Sequence, residues 1–401
     1  MDSGIIINPK DFRNNESLGI YIHIPFCQTK CFYCDFNTYT KIEDQIDEYI
    51  SCVISEINIW GEILGKSSIR SIFFGGGTPS YIDSKYIKII LDTIHENFYV
   101  DKNIEVTLET NPNDVSKNKF IDLISIGINR ISMGVQSFDD SLLRMLGRRH
   151  DSKEAENSYK TLRETGFDNL SIDLMYGLPY QSIQSWENTL DKSIYLKPNH
   201  ISLYSLQVEN GTPLKSKINS GAYEKPDDDK AAEMYEIAEK KLFNKNFFQY
   251  EISNWSKKSF ECVHNKIYWE NNFYLGIGAG AHSRINNFRF SNIKSPKKYI
   301  NTLMNNKVLK SETMKIDFIE NLDSLSFSDE ISETMMMGMR LNQGIKLEKF
   351  KQKFGKTIYE IFDNEIKKLK NLNLIEINET HIRLSSKGRL LGNEVFQEFI
   401  I

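Results

Sequence analysis

Cysteine is scarce, with five residues in a chain of 401. No run of 18 apolar residues occurs, and the first 18 residues are polar, with no apolar core. Each absence excludes something. Five cysteines are too few to staple a chain of this length, so disulfides do not organise it. Without a long apolar run, no helix can span a bilayer. Without an apolar stretch at its start, the chain is not expected to carry an export signal. Free thiols and no export signal predict a reducing cytoplasm. The net charge of −4 gives no overall pull toward nucleic acid or an anionic membrane, leaving at most peripheral membrane contact. The composition, 40% hydrophobic and 26% charged, suits a globular protein with a real core. The length predicts two domains, or one large domain with an appendage.

The few cysteines are not spread evenly. Cys27, Cys31 and Cys34 fall within eight residues, spaced C-x3-C-x2-C. Three thiolates on one short loop can hold three irons of a cubic cluster and leave the fourth open to a ligand. Zinc is the alternative, with His23 as a fourth ligand. Structural zinc sites usually pair two distant ligand knuckles, and no second CxxC or HxxxH is present. The spacing therefore favours a cluster.

The first 210 residues alternate short β-branched runs with amphipathic stretches. Strands are expected at 19–24, 71–74, 104–109, 129–133, 170–175 and 200–206, each bounded by turn residues as buried parallel strands are. Helices are expected at 42–57, 84–97, 116–126, 152–165, 183–195 and 227–244, by their 3.6-residue apolar period. Six βα units predict an α/β fold, either a (β/α)6 barrel or a doubly wound sheet. The polar residues favour the barrel, because five consecutive strand ends carry them to one face. These are the cysteine loop, the GGGTP run at 75–79, Glu109, Gln136 and Asp173.

From about residue 291 the texture changes. Residues 291–324 read as a polar linker with one helix. Residues 325–401 then predict helices at 329–343, 347–354 and 358–371 and strands at 374–377 and 381–384, a winged-helix-like order. Eight lysines against four acids between 346 and 370 raise a DNA-binding reading. A solvated helix face is favoured instead, because the domain has few arginines to read bases, and no nucleic-acid partner is expected. The methionines at 335–337 and 339 are read as core packing. The expected division is thus 1–290, 291–324 and 325–401.

The glycine run lets backbone approach a ligand closely. It is neither G-x-G-x-x-G nor a P-loop. CxxxCxxC with Tyr33 before the last cysteine, followed by GGGTP on the next strand, resembles the radical S-adenosylmethionine superfamily. Tyr21, His23, Pro25 and Phe26 before Cys27, SMGVQSF at 132–138 and DLMYGLP at 173–179 resemble its oxygen-independent coproporphyrinogen oxidase-like group, over almost the whole chain. The resemblance implies a partial TIM-like barrel with a C-terminal winged-helix-like domain. It implies a [4Fe–4S] cluster on Cys27, Cys31 and Cys34, and Tyr33 packed near the adenine of S-adenosylmethionine. It places Tyr21, Gly76, Gly77, Thr78, Glu109, Gln136, Arg148 and Asp173 around that cofactor. Glu109 would hold its amino group, Arg148 its carboxylate and Asp173 its ribose.

Two departures bear on the subfamily. Decarboxylating members carry a fourth cysteine where this chain has Phe36, and an N-terminal extension before the cluster strand. With Phe36 in that position and a cluster strand that starts by residue 19, neither feature is expected here. The HNxxYW run at 264–269 and GIGAGAH at 276–282 instead resemble the HemW group of haem chaperones. In that reading His264, Asn265, Tyr268 and Trp269 form a haem site, with His264 as axial ligand, His282 its rival, and the aromatic rings on the macrocycle. The expected function is binding haem and passing it to acceptor haemoproteins, with a homodimer a further expectation. The alternative is oxidation of coproporphyrinogen III to protoporphyrinogen IX in porphyrin biosynthesis. A third is a nucleic-acid regulator with a redox cluster.

Overall fold

The structure is a computed structural model and describes residues 4–13, 16–305 and 313–401. A short strand, β1 (Ile5–Ile7), precedes six strands that carry the fold: β2 (Leu18–Ile24), β3 (Ser68–Gly76), β4 (Tyr99–Thr110), β5 (Arg130–Gln136), β6 (Asn169–Tyr176) and β7 (His200–Ser205). All six pair in parallel, in chain order. Helices cross between them at Ile46–Leu64, Ser84–Asn97, Lys117–Ser125, Ser152–Glu164 and Ile183–Tyr195. The strands and helices expected for these units are all present, with ends shifted by a few residues. Most N-termini are fixed by a side chain accepting from the first turn, as with Asp83, Ser182 and the capping box of Asp151 and Glu154.

The sheet is an open barrel, and its strands alternate strictly. On β2, Leu18, Ile20, Ile22 and Ile24 are buried against the helices, which leaves Gly19, Tyr21 and His23 facing inward. The same parity turns Ser71, Phe73 and Gly75 of β3 inward, with Glu105, Thr107 and Glu109 of β4. It also turns in Arg130, Ser132 and Gly134 of β5, Ser171 and Asp173 of β6, and His200 and Ser202 of β7. The outward residues join one large apolar core. Most of the inward residues are polar or glycine, so the interior is not a packed apolar layer.

The sheet runs on past both ends of the six. At one end lie β8 (Phe248–Glu251) and β9 (Asn254–Ser256). At the other lie β10 (Tyr274–Ile277), which pairs in parallel with β2, then β11 (His282–Ile285), β12 (Phe288–Asn292) and, beyond β13 (Met314–Ile316), β14 (Ile319–Ser324). The stretch expected as a linker therefore differs from that reading. It holds the expected helix, Pro296–Met304, but β14 pairs with β12, β13 pairs with β1, and Phe318 and Ile319 are buried in the main core. Apolar positions too few for a period hid these strands. Its residues 306–312 lie outside the described residues.

A second core begins at Ile331. Helices Phe327–Gly338, Leu347–Phe354 and Ile358–Asn371 pack with a small antiparallel sheet of β15 (Ile345–Lys346), β16 (Ile375–Ile377) and β17 (His381–Leu384). Met335 and Met339 are fully buried in it. Several of its lysines pair with acids: Lys346 with Glu348, Lys353 with Glu330, Lys367 with Asp363 and Lys368 with Glu398. Among the described residues, no helix is long and apolar enough to cross a membrane.

Candidate functional site

The cysteine loop leaves β2 at Ile24 and is pinned by backbone bonds. Cys27 N donates to Tyr39 O (2.9 Å), Tyr39 N to Pro25 O (2.8 Å) and Phe32 N to Leu146 O (3.0 Å), while Phe32 O accepts from Leu214 N (2.9 Å). Each thiol then meets its own polar neighbour. Cys27 Sγ lies 3.4 Å from Thr78 Oγ1, Cys34 Sγ 4.0 Å from Thr38 Oγ1, and Cys31 Sγ accepts from Arg148 Nη1 at 3.4 Å. Burial pushes the Cys27 thiol up to about 11 and raises Cys34. Among the described residues, no three His, Cys, Asp or Glu side chains converge on a single-ion site. His23 is not a fourth ligand either: its ring bonds the Tyr21 hydroxyl and Asn37 O.

The GGGTP run packs directly beneath this loop. Gly77 N donates to Ile24 O (2.8 Å) and Thr78 N to Phe26 O (2.9 Å). A Cβ on Gly77 would lie 2.7–2.9 Å from backbone atoms of Ile24, Pro25 and Phe26. Gly76 has φ +109°, and a Cβ there would strike the His23 ring. The glycines thus let two stretches of backbone close on one another, a role the sequence reading assigned to a ligand.

Arg148 is anchored by the Asn111 side chain (2.5 Å) and Gly134 O, and its buried Nε has no partner. Arg149, its neighbour, is a salt bridge to Asp114 (2.9 Å) and leaves the position by Cys31 to Arg148. Tyr33 is half-buried, with its hydroxyl beside Arg148 and the Cys31 and Cys34 thiols, where desolvation raises its pKa. Gln136 holds φ +69° where the β5–β6 register shifts. Non-glycine residues rarely adopt that conformation, and a bulge of this kind re-aims a side chain. Glu109 accepts from Gly76 N (3.3 Å), and burial followed by repulsion from Asp173 pushes its carboxyl up to about 7. Asp173 lies deeper, accepting from Ser132 (2.9 Å) and Ser171 (3.2 Å).

Beside the loop opens a cavity of about 750 Å³, within the range of one drug-sized ligand. Its lining includes Tyr21, Gly76, Glu109, Tyr268 and Tyr274 on the barrel side, and Lys30, Phe36, Tyr39, His282 and Lys294. Phe36 is 64% exposed there.

The HNxxYW run forms a short helix, Val263–Trp269, lodged under the barrel. Glu105 accepts from the N–H groups of Val263 (3.0 Å) and His264 (3.1 Å) and from the Cys262 thiol (3.4 Å). A carboxylate there satisfies orphan donors and suits the positive end of the helix. His264 is only 1% exposed, and both ring nitrogens are engaged, Nδ1 with Ser71 (2.8 Å) and Nε2 with Tyr268 (2.9 Å). Burial and the nearby Arg130 lower its pKa to about 3. Trp269 points away from the cavity, beneath the Arg340 guanidinium at 4.6 Å. Asn265 is half-buried and donates its backbone N–H to Cys262. Tyr268 is thus the member of the run that reaches the cavity. Glu105 and Arg130 escaped the sequence reading, although strand parity places both inside with Glu109.

An open parallel barrel with a three-cysteine loop at the C-terminal end of its first parallel strand defines a radical S-adenosylmethionine protein. Residues 21–192 match the Radical SAM superfamily and residues 325–391 the HemN C-terminal domain. The chain is 36% identical to a haem chaperone HemW of Bacillus subtilis, covering 95% of this chain and 98% of that one. It is 32% identical to a mouse mitochondrial radical S-adenosyl methionine domain-containing protein 1, covering 92% and 84%. Among solved structures it is similar to Escherichia coli coproporphyrinogen III oxidase (HemN), with TM-score 0.82, 23% identity and 96% and 90% coverage. The chain belongs to the HemW family of radical S-adenosylmethionine proteins.

The superfamily's cofactors are a [4Fe–4S] cluster and S-adenosylmethionine, and the residues present fit both. Three thiols face separate partners rather than one ion, and a buried guanidinium beside them keeps an unsatisfied donor.

Proposed function

We propose that this protein is a cytoplasmic haem chaperone that binds haem beside its cluster and hands it to acceptor haemoproteins. The near full-length similarity to relatives named haem chaperone HemW carries the reading. The cavity supports it, because its rim is aromatic and basic where a fourth cysteine would otherwise stand. Cys27, Cys31 and Cys34 hold the cluster. Tyr21, Tyr33, Gly76, Gly77, Thr78, Glu109, Gln136, Arg148 and Asp173 form the S-adenosylmethionine pocket, Gly77 and Thr78 by fixing the loop from below. The bound cofactor supplies one-electron chemistry at its sulfonium. Tyr268 brings the HNxxYW helix to the haem, and His264 acts behind it by fixing the tyrosine hydroxyl. No nucleic-acid partner is proposed; a homodimer and peripheral membrane contact are. The domain division proposed is a barrel with its extensions through the 291–324 segment, followed by the winged-helix-like unit at 325–401.

Two measurements test this. Reconstituted protein titrated with haem is expected to develop a Soret band saturating near one equivalent. Incubated anaerobically with coproporphyrinogen III, reductant and S-adenosylmethionine, it is expected to form no protoporphyrinogen IX. Clear turnover would make it the decarboxylating enzyme instead.

Glu109 adds a pH dependence. The amino group of S-adenosylmethionine is cationic and pairs with the carboxylate. With the carboxyl at about 7 in the free protein, binding below pH 7 must first remove a proton. Affinity is therefore expected to fall by up to about tenfold per pH unit below 7, and to decline again above about 8, where the α-amino group loses its own proton. The facing charges are Asp173, which raises this carboxyl, and Arg130, which lowers it. Equilibrium dialysis between pH 5.5 and 8.5 checks the slope, and Glu109→Gln is expected to flatten it. A flat wild-type profile would remove Glu109 from the amine site.

A further inference from the structure

The cavity contains a histidine that the cofactor pocket does not use. Of the seven histidines in the chain, six commit ring nitrogens to hydrogen bonds. His23 bonds Tyr21 and Asn37, His95 bonds Leu91 O, and His150 bonds Val135 O. His200 bonds Ser171 and Tyr250, His264 bonds Ser71 and Tyr268, and His381 bonds Thr380. His282 alone has no such partner among the described residues. It is the first residue of β11, exposed, on the cavity wall.

Its surroundings match a flat, dianionic, iron-bearing ligand. Lys30 and Lys294 line the same cavity, and neither forms a salt bridge to a carboxylate among the described residues. Lys30 Nζ instead reaches Phe36 O at 3.2 Å. Lys294 lies close enough to His282 for its charge to be felt there. Asp35 is the opposing charge on this wall. Phe36 presents an unpartnered ring to solvent in the same cavity, which Tyr39 also lines.

We infer that His282 is the protein ligand to the haem iron, with Lys30 and Lys294 receiving the two propionates and the Phe36 ring lying against the macrocycle. The inference rests on the haem-carrier reading and names its site. Partial desolvation, then the charges of Lys294 and Arg289, lower the His282 pKa, which favours the neutral imidazole that binds iron. Tyr21, Gly76 and Glu109 of the same cavity belong to the S-adenosylmethionine pocket, which leaves the Phe36 and His282 side for the porphyrin. The macrocycle therefore sits at the mouth with one edge in water, which suits a cargo that must leave.

The test is haem titration of the full-length, cluster-loaded chain. His282→Ala is expected to weaken binding by about tenfold or more and to shift the Soret band, with cluster iron unchanged. His282→Met is expected to retain binding with a different spectrum. The double variant Lys30→Ala/Lys294→Ala is expected to weaken binding while leaving the Soret position in place. Wild-type binding that His282→Ala leaves unaltered in affinity and spectrum overturns the inference and spares the chaperone reading. No binding by the wild type overturns both.

Discussion

Alanine at Cys27, Cys31 or Cys34 is expected to give a folded but colourless protein, with cluster iron near background after reconstitution. The loop does not depend on its thiols for shape. Backbone bonds from Cys27 to Tyr39, Tyr39 to Pro25 and Phe32 to Leu146 hold it, and Phe26 packs edge-on against Tyr49. Losing one Sγ removes little buried surface, so the stability cost is expected to be about 1 kcal/mol or less. Losing one of three ligands from a site that already leaves an iron open removes the cluster outright. Circular dichroism and iron analysis of each variant check the two halves separately. A variant that keeps full iron would show that its cysteine is not a ligand.

The second large effect is expected at a residue with no side chain. Gly77→Val places a branched side chain where even a Cβ would lie 2.7 Å from Phe26 O and 2.8 Å from Ile24 O. These are backbone atoms that cannot rotate away. The Ile24 to Phe26 stretch would have to separate from β3, breaking the Gly77–Ile24 and Thr78–Phe26 bonds. Overpacking of this kind costs about 1–3 kcal/mol even where side chains can yield, so at least the upper end is expected. Thermal unfolding should begin several degrees lower, and cluster yield should drop with it, because Cys27 follows directly. An unchanged melting temperature together with full iron would show that the loop has slack it does not display.

How much of this was legible beforehand differs by element. The six parallel strands were readable as short β-branched runs bounded by turn residues, and their helices because long periodic segments carry their own signal. Cys27, Cys31 and Cys34 stood out because three of the five cysteines fall within eight residues. Gly76, Glu109, Gln136 and Asp173 stood out because they fall at or near the ends of successive parallel strands, and the structure turns Glu109 and Asp173 into the barrel. Strands β8 to β12 and β14 went unread because each is too short to show a period. Glu105 and Arg130 were missed because mid-strand charges look like noise until the parity of β4 and β5 turns them inward. For the HNxxYW run, the motif identified the residues but not their directions. His264 bonds on both sides, Trp269 meets Arg340, and Tyr268 alone reaches the cavity.

By itself the chain's sequence determined local matters: which segments form strands and helices, which loop carries the thiols, and that Phe36 follows the last of them by two residues. These follow from periods of two and 3.6 residues and from spacings of three or four, which the backbone cannot alter. The tertiary structure alone decided which groups face one another across long separations in the chain. Arg148 meets Cys31, Glu105 binds Val263 and His264, and Lys30 shares a cavity with His282 and Lys294. Such contacts depend on the barrel's curvature and on where its added strands close against β2, and no local pattern encodes either.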